Sequence, residues 1–218
     1  MTGGAASAAS GPVDACVLGV DIGAGSLKTT VVDARGRERG SASHPVATHT
    51  PHAGWSEQDP EQWWTALCAT VPRALADAGL PAASVRAVAF SAGAHTPVLT
   101  GRDGRVLRPA ILWNDQRSGQ ESAELQASDG ERILAIALNK PSPTWTLPQL
   151  MWVARHEPEV ARATHRVYVA KDWLRMRLTG DWHTDLTDAV GTLIWDHGAA
   201  RWSEALCARI GWDPATLP

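Results

Sequence analysis

Between two apolar runs the string GVDIGAGSLKTTVVD (19–33) carries Asp21, Gly23, Gly25, Ser26 and Lys28. A carboxylate, two spaced glycines, a hydroxyl and an amine are the parts of a phosphate site. The glycines let an anion approach the backbone amides, and Asp21 can hold Mg2+ through water, because that ion prefers oxygen ligands and keeps much of its hydration. A Walker loop would need Gly-x-x-x-x-Gly-Lys-Ser/Thr, which the string lacks. A dinucleotide fingerprint would need a third glycine opening a helix. Here the residues after Gly25 lead into Thr29-Thr30-Val31-Val32, a β-branched run that favours a strand. The glycines therefore belong to a strand–turn–strand hairpin. Its amides can face phosphate oxygens, but an ordinary hairpin with glycines at the turn fits the loop equally well, and Lys28 fits a solvated strand face nearly as well as a phosphate contact.

The chain has 218 residues, 44% of them hydrophobic, enough for a sizeable core. A net charge of −3 with no long basic run argues against a nucleic-acid partner. No apolar run approaches the roughly 20 residues of a membrane span. The first 14 residues, small and polar, lack the basic start and apolar centre of a secretory signal and read as a disordered tail. Cys16, Cys68 and Cys207 fit neither a disulfide framework nor a zinc site. A soluble cytoplasmic protein is the expectation. Eleven Trp against one Tyr and one Phe imply that indoles do most of the aromatic core-filling, with a few free to stack on a ligand face.

The elements that must position the hairpin are partly punctuated. Strands over ACVLGVDIG, LKTTVVDA and RERGSASHPVAT form an antiparallel meander. A helix follows, with Asp59 as N-cap, Pro60 in the first turn, Gln62 closing a capping box, an apolar stripe of Trp63, Trp64, Leu67 and Val71, and Gly79 as the stop. Pro72 should kink or split it. Strands over VRAVAFSAG and around TPVLTGRDGRVLRPAILWND, helices over GQESAELQAS and ERILAIAL, one helix or two over TLPQLMWVARHEPEVARA, a strand HRVYVA and a helix KDWLRMRLTG come next. DLTDAVGTLIWD reads as a turn into a strand, and SEALCARIG as a last helix. The alternation predicts an α/β layered domain with a mixed sheet.

VDIGAGSLKTTVVD resembles the phosphate hairpin of the actin-like and sugar-kinase ATPases. GWSEQDPEQWW (54–64), RVLRPAILWNDQR (105–117), RHEPEV (155–160), KDWLRMRLTG (171–180) and TDLTDAVGT (184–192) resemble, in the same order, the N-terminal domain of the FGGY carbohydrate kinases, with the xylulokinase branch nearest. The resemblance runs from about Cys16 to the chain end. It implies an actin-like (ribonuclease H-like) domain over 15–218 that binds the sugar, with a second, ATP-binding domain lying outside this chain. It also implies ATP and Mg2+ as co-reactants, a small sugar such as a ketopentose as acceptor, and leaves a homodimer open. By the same resemblance Asp21 is important for activity and Gly23, Gly25, Ser26 and Lys28 face phosphate. Ala94 and His95 contact the sugar, and Trp145 lines the pocket either as a platform or as packing. Asp115 is a sugar contact in the lesser reading; with Arg117 it reads mainly as an ion pair below the pocket, and Asp185, Thr187 and Asp188 read likewise. The xylulokinase pattern Gln-Met-His-Gly or Gln-Gln-His-Gly is replaced here by Gly93-Ala94-His95-Thr96, which reshapes the pocket. The family's general base is expected past residue 218, so the fragment alone should be inactive.

Overall fold

The computed structural model describes residues 15–218, so the expected tail, 1–14, lies outside the described residues. Strands β1 (Cys16–Ile22), β2 (Ser26–Asp33) and β3 (Glu38–Pro45) form the expected antiparallel meander. Alternation decides their faces: Cys16, Leu18, Val20 and Ile22 are buried while Val17 and Asp21 turn outward. After the two-residue β4 (Glu57–Gln58), helix α1 (Pro60–Ala78) runs beneath the meander, burying Trp63, Ala66, Leu67, Thr70, Ala74 and Leu75. Asp59 caps it by accepting from the Glu61 amide, and Gly79 ends it in the left-handed conformation at φ 64°.

Two local expectations are corrected. Gln62 does not close a capping box, because its side-chain carbonyl accepts from the Ala47 amide and ties the helix start to the chain after β3. Pro72 does not split α1, which runs unbroken from Pro60 to Ala78. Both Pro72 and Cys68, the residue whose carbonyl loses its partner, face solvent, so water can take the freed bond.

Strand β5 (Val85–Ala92) then lies parallel to β1, giving a mixed sheet of order β3-β2-β1-β5. β6 (Pro97–Thr100) and β7 (Ala110–Ile111) flank the Arg-Asp-Gly turn but do not pair with each other as strands. β7 pairs with β4, and β6 pairs with the later β8 (Arg166–Val169). The two expected helical stretches over 119–138 are one helix, α2 (Gly119–Ala137). α3 (Thr146–His156) and α4 (Pro158–Ala163) separate at Glu157, before the proline. α5 (Ala170–Thr179) follows β8 directly. Where a turn was expected, α6 (Leu186–Gly191) forms, because Asp185 caps the Asp188 amide. A short ribbon of β9 (Trp195–Asp196) and β10 (Arg201–Trp202) leads to α7 (Glu204–Ile210).

The core falls into three clusters, one of them the packing of Cys16, Leu18 and Val31 of the meander on Ala74 and Leu75 of α1. Trp63 and Trp173 meet edge to face at 6.3 Å under the sheet, with Val20, Leu27, Tyr168 and Leu174 around them. A third cluster, including Leu125, Ile133, Leu147, Leu150 and Ile194, joins α2, α3 and α7. Indoles thus carry much of the aromatic packing, as the composition implies; Trp113, 52% exposed, is the clear exception. Among the described residues no helix is long and apolar enough to cross a membrane.

Candidate functional site

At the end of β1, Asp21 turns to the open face of the sheet, level with Lys28 of β2 and Ser91 of β5. It lines an open cavity of about 300 Å3 with Gly19, Lys28, Thr30, Ala89 and Ser91. No hydrogen bond or ion pair among the described residues engages its carboxylate. The amine of Lys28 lies 4.0 Å from a Glu38 oxygen, with both side chains about half exposed. Such an exposed pair is weak, so an incoming anion can compete for the lysine.

The hairpin turn is held from behind. Gln58, 1% exposed, donates through its amide to the Ala24 carbonyl at 3.0 Å and to the Thr48 hydroxyl at 2.9 Å, and its oxygen accepts from the Trp63 indole at 2.8 Å. Thr48 also donates to Ala24 O, and the Gly23 amide donates to Ser26 O at 2.9 Å. The carbonyls of the turn are therefore committed, while no acceptor among the described residues takes the amides of Ala24 and Gly25. A Cβ on Gly25 would meet nothing within 4 Å, and its φ is not left-handed, so the fold itself does not demand glycine there. Close approach by a group from outside is the use that remains for it. Gln58 escaped the sequence reading. Its signal was a lone amide side chain wedged before a capped helix, a position where a buried amide must find partners.

On the other side of the turn stands the loop 93–96. Ala94 is exposed, and His95 is 7% exposed with φ 44°, a strained backbone for a residue other than glycine. The His95 ring lies 4.8 Å from that of Trp145 and against Gly191, while its carbonyl accepts from the Thr146 hydroxyl at 2.6 Å. Its Nδ1 is buried without a hydrogen-bond partner. Leaving a buried polar atom unsatisfied costs about 1–3 kcal/mol, so a ligand that supplies the partner recovers that cost. Burial pushes the His95 pKa below its usual range, only partly opposed by the charge of Asp188, and the ring is neutral at pH 7. Because the unfolded chain takes up this proton at a higher pH than the folded one, stability should fall as pH drops below about 6.5. Thermal melts should show that slope, and His95→Gln should flatten it; an unchanged slope would show that His95 does not cause it.

Below the loop, Lys171 contacts Asp172 at 2.8 Å and Asp185 and Asp188 at 2.9 Å each. Burial lowers its pKa, but the three carboxylates outweigh this and hold it above the ordinary lysine range. Asp188 is thus committed to an ion pair with Lys171.

Asp115 needs correction as a candidate sugar contact. It is 1% exposed, and both oxygens are committed: Arg117 donates to them at 2.9 and 2.7 Å, and the Ser56 amide donates to one. Arg117 also reaches Glu57 at 2.6 Å and stacks 3.8 Å from the Trp55 ring centroid, while Arg108 joins Glu57 to Glu157. This buried network fixes the turn after β7, as the ion-pair reading of Asp115 and Arg117 anticipates.

The structure therefore brings the hairpin turn and the loop 93–96 to one small cavity, lined by Ile22, Ala24, Gly93, Thr96 and Trp113. Asp21 and Lys28 line the open cavity on the sheet face, and His95 and Trp145 gather on the far side of the loop. The uncommitted amides of the hairpin turn and the buried, unpartnered His95 imidazole thus stand on either side of the loop 93–96, an arrangement compatible with transfer of a phosphoryl group to a polar acceptor.

The chain matches the model for the N-terminal domain of the FGGY family of carbohydrate kinases over residues 16–218. It is 38% identical over 189 residues to the xylulose kinase of Escherichia coli (strain K12), covering 87% of this chain and 38% of that protein. Against the xylulose kinase of Streptomyces rubiginosus the identity is 39% over 216 residues, covering 97% of this chain and 43% of that protein. The crystal structure of xylulose kinase from Rhodospirillum rubrum aligns with a TM-score of 0.86 at 32% identity, over 93% of this chain and 42% of that one. The chain spans about two fifths of the length of the curated relatives it matches.

Proposed function

Since this chain belongs to the FGGY family of carbohydrate kinases, with the actin-like fold of that family, we propose that it forms the sugar-binding part of an ATP-dependent kinase acting on a hydroxyl of a small ketose such as D-xylulose. The observation that supports this most is that the hairpin turn, with the uncommitted amides of Ala24 and Gly25, meets the loop 93–96 at a small cavity of about 20 Å3 lined by Ala24, Gly93 and Thr96, next to the buried, unpartnered His95. In this reading the amides of Ala24 and Gly25, with Ser26 and Lys28, face the terminal phosphate of ATP, while Ala94 and His95 hold the sugar. His95, neutral, offers Nδ1 to a sugar hydroxyl and orients it toward the phosphate. Trp145 braces the His95 ring by packing.

Phosphoryl transfer asks little covalent chemistry of a protein, so rate comes from alignment and charge stabilisation. The exposed, unpaired Asp21 fits Mg2+, which takes one or two carboxylates plus phosphate oxygens and keeps several waters. Bound there, the ion would spread the charge building on the phosphoryl oxygens. Asp21 would hold its water shell, and the hairpin amides would fix the phosphate in line with the acceptor oxygen.

A carboxylate to accept the hydroxyl proton is missing from this arrangement. Asp188 is tied to Lys171 and Asp115 to Arg117, and Asp21 belongs to the phosphate side. The proton acceptor and the adenosine pocket are assigned to a further domain of the full-length protein. The outer edge of β5 has no strand partner among the described residues, which leaves room for more of the domain there.

An ATP-consumption screen of the full-length gene product against ketoses, aldoses, polyols and sugar acids tests the proposal. Turnover is expected with a ketopentose. Failure with every sugar and polyol would overturn it.

A further inference from the structure

In the Gly93-Ala94-His95-Thr96 loop, the glycine makes room for a neighbouring indole. A Cβ built on Gly93 would lie 3.1 Å from Cδ1 of Trp113 and 3.6 Å from the Thr96 hydroxyl. Carbon atoms in good contact sit about 3.5–4.0 Å apart, so even alanine would press on the indole. The φ of Gly93 is not left-handed, so the backbone does not call for glycine. Space is what the missing side chain provides.

Trp113 cannot easily yield through its backbone. The Leu112 amide donates to Ser56 O at 3.0 Å, the Asp115 amide to Leu112 O at 3.1 Å, and the buried Asp115–Arg117 pair locks the turn. A larger residue at 93 would therefore displace the indole itself. That indole borders the small cavity of about 20 Å3 where the hairpin turn meets the loop, too small for a sugar, but it stays 52% exposed even though it leans on Gly93, so its open half is the surface a ligand can reach. Large aromatic surface is normally covered, and an indole wall is a surface on which the C–H face of a polar ligand can lie.

We propose that Gly93 is a positioning residue for acceptor specificity. Having no side chain, it seats the Trp113 indole against the loop 93–96, so that the exposed half of the indole forms an apolar wall beside the carbon chain of the acceptor. The inference rests on the sugar-kinase reading. It adds that chain-length preference is set by the Gly93–Trp113 couple, through where the exposed half of the indole is held.

Two measurements test it. In the first, this chain is labelled with 5-fluorotryptophan, and the Trp113 resonance is assigned with Trp113→Phe. Gly93→Gln should move that resonance and leave those of the other ten of the eleven tryptophans in place, which also shows that the variant is folded. In the second, the full-length gene product is assayed with D-xylulose and with the six-carbon D-fructose. Gly93→Gln should change the ratio of the two kcat/KM values about tenfold, mainly through KM, and less than about twofold when Trp113 is already alanine. An unmoved Trp113 resonance, or an equal effect with and without Trp113, would overturn the inference. No turnover with either sugar would sink the kinase reading and the specificity claim with it, while the resonance would still decide whether Gly93 seats Trp113.

Discussion

Arg117→Ala should cost the domain about 3–5 kcal/mol of folding stability, among the largest effects of any single change in this chain. The guanidinium is fully buried, donates twice to Asp115 and once to Glu57, and lies over the Trp55 ring. Removing it leaves the buried Asp115 without a counter-charge, takes from Glu57 one of its two arginines, and strips a cation–π contact. Small domains are stable by only about 5–15 kcal/mol, so the variant would lose a large share of its margin. Arg117→Lys should recover only part, because an ammonium cannot fork onto both oxygens of Asp115. Urea denaturation at constant m value reads this directly. A shift below about 1 kcal/mol would mean that the network is incidental to the fold.

Asp21→Ala should show the opposite signature. Its side chain is exposed and unpaired, so stability should change by no more than about 0.5 kcal/mol. Turnover of the full-length protein should nevertheless fall about 100-fold or more, since a group that holds the metal's water shell acts on the charge that builds in the transition state. His95→Ala, by contrast, should act mainly on KM, because the imidazole would contact the sugar in ground state and transition state alike. Steady-state kinetics beside thermal melts separates the cases. Equal turnover in wild type and Asp21→Ala would remove Asp21 from the site.

Legibility from sequence followed the range of the physics. The meander, α1 with its Asp59 cap and Gly79 stop, and β5 were readable because alternation, capping and glycine stops act over a few residues. α6 was missed because six residues carry too little periodicity, although Asp185 was there to cap them. Pro72 misled because local rules do not say that the freed carbonyl would face water. In the site, the hairpin was visible as a string, but Gln58, which holds it, acts across 34 residues and shows only in three dimensions. Asp115 looked available until Ser56 and Arg117 were seen to occupy it. The Gly93–Trp113 contact was likewise hidden: the change of pattern at 93 could be seen, but not the indole filling the vacated space.

The claim beneath all of this is that these residues build half of a phosphoryl-transfer cleft, supplying phosphate and sugar contacts but no proton acceptor. The most direct test places the purified 218-residue chain beside the full-length gene product in one coupled assay with D-xylulose, ATP and Mg2+. The account predicts sugar phosphate from the full-length protein and none from the chain alone; robust turnover by the isolated chain would contradict it.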